Sequence, residues 1–395
     1  MKKSIPLGPW PLGIDNVSDP TSVKVDDKGR AIALCDAVNV DVDRSGDIDR
    51  RRGRRPAVAL PGLHSLWSGS QATYGVAQAV LYAITPTSAR AIGSMPTDEP
   101  CYFAEEDGGV IVASRSALMA VGTSTIEPVG VPDASSPSLA PAAIGGLAAG
   151  RYAVAVSYLR GDLEGALSPL RTIALQEGQG LQLAGIHAPV GVDRVRVYRT
   201  ALGGTVLYQC ADLVPGTASY LLGNDTLGRQ APTQYLARMQ GGDHLALWRG
   251  RALVARGRTL VVSEPMNYGL TSPRHGFVQF WSSITMLVGL EGGVYVGTRQ
   301  GIFFLRGTRP GDWTQERKGA LPPVRGQPVV IDGNQLPPNY QQAGRRVAVW
   351  VAANGFVLGC DDGSIIEPQG DRVRTPAAIN SSICALSRRV TATLT

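Results

Sequence analysis

Short apolar segments separated by small-residue turns recur along this chain, and one stretch serves as the template for the others. In residues 292–307, GGVYVGTRQGIFFLRG, the apolar run 294–296 is followed by a polar turn and a second apolar run, 302–304. Such alternation is typical of two neighbouring β-strands. Similar pairs occur at 108–122, 252–262 and 355–366, and a looser one at 74–84. The pattern predicts an all-β protein with few helices.

The spacing of these copies predicts a repeat interrupted by an insertion. Val294 follows Ala252 by 42 residues, whereas Ala252 follows Val110 by 142. Removing an inserted domain of about 100 residues, the size of one β-sandwich module, brings the two spacings into agreement. The longer spacing to Phe356 is explained by a Pro- and Gly-rich loop at 321–344. A period near 40 predicts the four-stranded blades of a β-propeller, with a second sandwich made of hairpins as the alternative.

The proposed insertion begins at residue 133 with a linker rich in Ser, Pro, Ala and Gly. Strand-like segments then follow at 151–159, 192–200 and 206–210, and the pattern of this region resembles fibronectin type III-like modules. The predicted fold is therefore a β-propeller with an inserted fibronectin type III-like β-sandwich. Its predicted parts are an N-terminal arm and hairpin (1–55), a first propeller part (56–132), the inserted domain (133–233) and a second propeller part (234–395).

The amino-acid composition excludes few classes of protein. The chain has 395 residues, 48 Gly, 27 Pro and a net charge of +6, which permits an anionic partner without requiring one. Its five cysteines (Cys35, Cys101, Cys210, Cys360, Cys384) form no CxxC pair, so we expect buried free thiols and folding in a reducing cytoplasm. We expect no signal peptide and no spanning helix.

The N-terminal 36 residues are rich in Pro, Gly, Asp and Asn, which predicts an extended arm laid along another surface. Strict alternation over 37–43 and a turn at 44–46 predict a hairpin after it. In propellers a terminal strand often completes the first blade, so we expect this hairpin or the C-terminal strand 390–394 to do so.

Within the hairpin, oxygen-bearing side chains are spaced as in an EF-hand calcium loop: Asp41, Asp43, Ser45, Asp47 and Asp49. The twelfth position of such a loop is Arg52 instead of a bidentate Glu, and the flanks predict strands instead of helices. The calcium site is therefore a candidate beside the simpler interpretation of a polar hairpin face, and no metal is assigned.

A dense basic run follows directly: Arg50, Arg51, Arg52, Arg54 and Arg55. Five guanidinium groups can hold phosphates or an acidic protein surface. Because four aspartates precede them, a solvated face or a salt-bridged face between subunits is favoured over nucleic acid binding.

The chain shows no recognisable catalytic motif. Its four histidines are scattered, there is no GxSxG, HExxH or phosphate-binding loop, and Asp312 stands before Trp313 without the rest of a sialidase Asp-box. We therefore expect neither an enzyme nor a cofactor. Four tryptophans at blade-like intervals are expected in the core or between blades, in preference to a sugar-binding platform (Trp248, Trp281, Trp313, Trp350).

The N-terminal pattern of residues 13–16, 36–43, Gly46 and the Arg-rich segment 50–55 resembles the start of a family of tailed-phage and prophage virion proteins. The likeness covers about 50 residues, and the remainder agrees only in architecture. It implies a structural role, as in the tail nozzle at the distal end of a short tail, in a homo-oligomeric ring, such as a hexamer, through which DNA passes. The implied partners are other tail proteins, namely the adaptor, fibres or spikes, and the implied location is the virion.

Two other functions remain open at this point. A receptor-binding or baseplate-tip adaptor would recognise host glycans through residues 133–233. A carbohydrate-active propeller enzyme would depend on an acid such as Asp312 or Glu291.

Overall fold

Nearly all regular structure in this chain is β-strand. The computed structural model describes residues 8–19, 24–43, 45–51, 58–342, 344–386 and 389–395. In these ranges the helices are three short 3-10 turns, Pro310–Asp312, Gly333–Gln335 and Pro338–Tyr340. None of these turns could cross a membrane. The prediction of an all-β protein is confirmed.

The predicted hairpin near the N-terminus is present. Strand β1 (Val40–Val42) pairs antiparallel with β2 (Ile48–Arg50), and Asp41 lies opposite Asp49. The arm before it contains two isolated bridges, Ile14 with Leu34 and Val25 with Ala31, so it folds back on itself.

Two four-stranded sheets follow, each with its strands paired in chain order. The first contains β3 (His64–Ser68), β4 (Thr73–Ala77), β5 (Val80–Ile84) and β6 (Ala89–Ser94). The second contains β7 (Tyr102–Glu106), β8 (Gly109–Ala113), β9 (Leu118–Val121) and β10 (Ile126–Pro128). Their facing side chains share one core around Phe103.

The region of the proposed insertion forms two antiparallel sheets. Its strands are β11 (Ser138–Leu147), β12 (Gly150–Arg160), β13 (Leu163–Glu164), β14 (Arg171–Leu175), β15 (Gln179–Ala184), β16 (Arg194–Thr200), β17 (Leu207–Leu213) and β18 (Ser219–Leu222). One sheet has the order β11-β15-β18; the other has β13-β12-β16-β17, with β14 also on β12. Side chains from both sheets form a single hydrophobic cluster that includes Tyr152, Leu181 and Val197.

A third sheet resembles the first two. It contains β19 (Ala237–Arg238), β20 (His244–Trp248), β21 (Arg251–Arg256), β22 (Thr259–Glu264), β23 (Asn267–Thr271) and β24 (Phe277–Gln279). Strands β20 to β23 pair in order, β19 extends the sheet beyond β23, and β24 pairs with β22.

The C-terminal third of the chain forms three further sheets. The fourth sheet contains β25 (Ile284–Leu290), β26 (Gly293–Thr298), β27 (Gly301–Arg306) and β28 (Thr314–Lys318). The fifth is β30 (Val329–Asp332), β31 (Arg346–Ala352), β32 (Gly355–Gly359) and β33 (Ile365–Ile366). The last joins β29 (Arg325–Gly326), β34 (Asn380–Leu386) and β35 (Arg389–Leu394).

The repeated sequence pattern marks equivalent strands in four of these sheets. The copies at 74–84, 108–122, 252–262 and 292–307 all coincide with the second and third strands of a four-strand series. The copy at 355–366 instead occupies the third and fourth strands, β32 and β33, because β30 and β31 both precede it. The repeated pattern therefore marks a strand pair in each of these five sheets. In the fifth sheet it marks the third and fourth strands instead of the second and third.

The expected closure of the first sheet by a terminal strand is wrong for the described residues. Strand β34 pairs antiparallel with β35 and parallel with β29, where Arg325 faces Asn380. The β1–β2 hairpin forms a sheet of its own. The terminal segments thus satisfy their backbone bonds away from β3–β6.

The chain divides into two compact units. One contains residues 1–61, 84–89 and 280–395, and the other contains 62–83 and 90–279. All eight strands of the two-sheet region lie in the second unit. The finer division at residues 56, 133 and 234 stays a prediction.

Within each unit, polar side chains connect adjacent four-stranded sheets. Glu105 accepts a hydrogen bond from Ser70 N (2.7 Å) on the side of the first sheet. Its neighbour Glu106 accepts from the Tyr268 hydroxyl on the third sheet. In the other unit, the buried Tyr295 hydroxyl lies 2.7 Å from Cys360 O and 2.8 Å from Ser364 O, and so joins the fourth and fifth sheets.

A buried charged network lies on the outer side of β12 and β16. Glu164 accepts from the Ser157 hydroxyl (2.7 Å), the Tyr198 hydroxyl (2.6 Å) and Arg196 Nη1 (3.3 Å). Arg196 also binds Asp212 through two parallel bonds of 2.6 and 2.7 Å, which hold the pKa of that carboxyl below its ordinary value. Paired in this way, the buried charges avoid the large cost of isolated ones.

The expectation of buried thiols is met by only two of the five cysteines, all of which are free. Cys101 and Cys360 are buried, and burial raises the pKa of the Cys101 thiol to about 12. Cys35 and Cys384 are exposed, because the first lies in the arm and the second on an outer strand pair.

Close packing, more than turn geometry, explains two of the repeated glycines. A Cβ on Gly359 would lie 2.5 Å from the Trp350 ring, and one on Gly297 would lie 2.3 Å from Pro323 Cγ. Gly363 is constrained in both ways, since its φ is 85° and an added Cβ would lie 2.6 Å from Phe304 Cδ1.

Gly359→Ala should therefore destabilise the protein by about 1–3 kcal/mol, the usual cost of adding a methyl group to a packed core. Gly319→Ala is the matched control, since a Cβ added at Gly319 would have nothing within 4 Å. Urea denaturation of the two variants measures the difference in the free energy of unfolding. Equal midpoints for both would contradict a packing role for Gly359.

Candidate functional site

The arm is folded by Asp15, a carboxylate that is almost fully shielded from solvent. It accepts hydrogen bonds from Ser18 N (3.0 Å), Ser18 Oγ (2.9 Å) and Val17 N (3.3 Å), and pairs with Lys24 Nζ at 3.1 Å. The bond from the Ser18 backbone, followed by Lys24, lowers the pKa of Asp15 to about 2. The carboxylate thus organises the turn after residue 15.

The neighbouring Asn16 attaches the arm to the C-terminal part of the same unit. Its side-chain nitrogen donates to Arg374 O (2.8 Å), its oxygen accepts from Arg374 N (2.7 Å), and its backbone N–H donates to Arg372 O (3.0 Å). Arg372 Nη1 in turn donates to Leu12 O (3.0 Å). The amide therefore pairs with residue 374 as a β-strand would. The arm contacts residues 372–374 as predicted, but it is folded back on itself and not extended.

The arm also encloses a small cleft. The space within it is about 10 Å³, room for about one water molecule and far too small for a small-molecule ligand. The residues that line it are Asp15, Ser18, Asp19, Lys24, Ala33 and Cys35.

The calcium candidates of the hairpin are engaged with one another and with Arg51. Asp43 Oδ1 accepts from Ser45 N (2.8 Å), Ser45 Oγ (2.6 Å) and Asp47 N (2.9 Å), bonds that lower its pKa. Asp41 pairs with Arg51 at 3.0 Å. Within the described ranges, no three acidic, His or Cys side chains are grouped so as to hold a metal ion. The structure therefore shows an Asp-capped turn where the spacing suggested a calcium loop.

The structure describes two of the five arginines of the basic run. Arg50 ends β2 and Arg51 follows it, and both are exposed. Arg52, Arg54 and Arg55 lie outside the described residues. Arg50 is thus exposed at the exit of the hairpin, and Arg51 beside it is paired with Asp41.

The acids considered for catalysis lie in ordinary surroundings. Asp312 ends the 3-10 turn before Trp313 and pairs with Arg309 Nε at 2.7 Å on the surface. Glu291 is exposed in the β25–β26 turn. The geometry around Asp312 is that of a surface ion pair.

One polar array escaped the sequence analysis. His64 Nδ1 lies 2.9 Å from Ser65 Oγ, and His64 Nε2 lies 3.0 Å from Asp98 Oδ1. Ser65 Oγ also accepts from Cys101 N (2.8 Å), and Asp98 Oδ1 accepts from Ala79 N (2.8 Å). These bonds connect the first sheet to the segment that enters the second. No sequence signal could have found them, because Asp98 is 34 residues from His64.

The tryptophans divide between core and surface. Trp248 and Trp350 are buried, as expected, and Trp313 is half-buried. Trp281 is 91% exposed, so its expected place in the core is wrong. It lies in the short connection before β25, where the apolar burial is made by Phe280 instead.

Comparison with known proteins identifies no family. No protein-family model and no curated protein matches the chain. Among solved structures, BBS1N in complex with ARL6DN is similar over 85% of this chain and 89% of its own, with 11% identity and a TM-score of 0.32. Apo AztD from Citrobacter koseri is similar over 83% and 90%, with 13% identity and a TM-score of 0.28. At such scores the likeness carries no argument about architecture, partners or activity.

Asn16→Ala should release the arm from residues 372–374. The two side-chain bonds would be lost at a cost of about 0.5–1.5 kcal/mol each, so limited proteolysis should cut the first 36 residues faster. Asn334→Ala, an exposed asparagine in the same unit, is the matched control. The assignment fails if both variants resist protease as the wild type does.

The low pKa of Asp15 predicts a specific acid response. A carboxyl with a lowered folded-state pKa contributes stability that is fully present above its ordinary value of 3.8 and is lost as pH falls towards about 2. Pepsin cleavage of the arm should therefore rise over this range. In Asp15→Asn the arm should be cut readily at every pH tested, and a parallel pH response in both proteins would contradict the assignment.

Proposed function

We propose that this chain is a structural protein of a tailed-phage virion, and specifically the tail nozzle that closes the distal end of a short tail tube. In this role, copies form a homo-oligomeric ring, such as a hexamer, that contacts the tail adaptor and fibres or spikes. DNA passes through the ring during ejection. Each copy is a β-propeller-type scaffold carrying a fibronectin type III-like module, and no catalytic step is part of its role.

The observation that carries the proposal is the set of contacts made by the residues of the N-terminal pattern. Asp15 and Asn16, two residues of the pattern that resembles virion proteins, fold the arm and attach it to residues 372–374. The following part of the pattern forms the β1–β2 hairpin, which carries Arg50 and Arg51 at its exit. A signature that positions an arm and a charged hairpin is suited to assembly, since assemblies recognise extended surfaces instead of pockets.

The array of small sheets supports the same role. Five series of four strands, joined by short turns and by polar contacts within each unit, give a scaffold without α-helices in the described ranges. Such a scaffold can hold an arm and a projecting module in fixed positions.

If the proposal holds, the purified protein should form discrete rings at high concentration. Light scattering coupled to size exclusion should give a single multiple of 41.6 kDa, and negative-stain images should show a central opening. Labelled antibody should mark the tail end of virions. Monomers at every concentration, with no label on the tail, would overturn it, and selective glycan binding by residues 133–233 would favour a receptor-binding adaptor.

A further inference from the structure

The β1–β2 hairpin is anchored at its turn by the arm. Trp10 N donates to Gly46 O (2.8 Å), and a Cβ on Gly46 would lie 2.5 Å from backbone atoms of Trp10 and Pro11. In the described part of the chain its two three-residue strands pair with each other and with no third strand. A two-stranded ribbon of this length is marginally stable alone. The hairpin therefore requires further cover.

The register of the hairpin gives it two different faces. Val42 lies opposite Ile48 and Val40 opposite Arg50, so these side chains share one face. The three apolar members are only half-buried, and Val38, just before β1, is 79% exposed. This face is left partly open by the part of the chain that the structure describes.

The other face carries like charges in direct opposition. Asp41 and Asp49 are cross-strand partners, an arrangement that destabilises an isolated ribbon. Arg51, 3.0 Å from Asp41, offsets part of this charge within the chain. Arg50 is exposed at the end of β2. The hairpin thus presents carboxylates on one face and guanidinium groups at its exit, and is complementary in charge to a second copy of itself.

We propose that this hairpin is the contact between neighbouring copies of the chain, arranged head to tail. The neighbour covers the apolar face, while Asp41 and Asp49 of one copy receive Arg50 and Arg51 of the next. The charges set the register and exclude other partners, as complementary charges do at many interfaces. The inference rests on the proposed ring and names the surface that builds it.

The test is a charge exchange on the full chain. One variant combines Asp41→Arg with Asp49→Arg, and the other combines Arg50→Glu with Arg51→Glu. Each alone places like charges at every contact, so half-assembly should require about tenfold or more higher concentration. An equimolar mixture of the two should assemble again, because every mixed contact pairs opposite charges. Recovery in the mixture also shows that both variants are folded.

A fourfold variant with both exchanges should assemble with itself and not with the wild type. The matched control is an exchange of Arg309 and Asp312, an exposed ion pair in the same unit, which should leave assembly unchanged. Assembly of both single-sided variants at wild-type concentrations would overturn the hairpin contact alone. A wild type that never assembles would overturn the proposed function together with it.

Discussion

A four-stranded antiparallel sheet has two faces and no covering of its own, and this constraint explains most of the structure. Each sheet gains stability only by burying side chains against another sheet. Phe103 lies in the shared core of the first two sheets, and Trp350 and Tyr295 lie in the shared core of the fourth and fifth. Between the fourth and fifth sheets, Gly359 admits the rings of Trp350 and Tyr295, which a larger side chain would displace.

Hydrophobic contact alone would allow neighbouring sheets to slide, and the polar contacts prevent this. The Tyr295 hydroxyl reaches two carbonyl oxygens of the facing loop, and Glu105 and Glu106 bind groups on opposite sides of their sheet. Because the Tyr295 hydroxyl is shielded from water, a shifted register would leave it without partners. The same reasoning applies to the Glu164 network, which fixes β13 and β17 on β16 through Arg196 and Tyr198. Directional bonds thus select one packing among several that are similarly apolar.

The sequence predicted those parts of the fold that depend only on residues close together in the chain. Apolar runs and glycine turns are set by neighbouring residues, so the all-β class, the β1–β2 hairpin and four of the repeated strand pairs were predictable. It failed where burial depends on distant residues. Nothing in the local pattern of β16 predicts the burial of Arg196 and Arg199, which are buried because Glu164, Asp212 and Asp225 approach from other strands and loops. Trp281 is exposed for the converse reason, since Phe280 makes the apolar contact.

The calcium-like spacing of the hairpin shows how a motif depends on its backbone. In an EF-hand the alternating oxygens converge because the loop curls around the ion. Here Asp41 and Asp49 lie side by side on an extended ribbon, and Asp43 binds the backbone of its own turn. The same residue types at the same spacing therefore adopt a different geometry. On a flat ribbon the carboxylates of Asp41 and Asp49 lie side by side and do not curl around one point, so the strand register decides what the spacing can build.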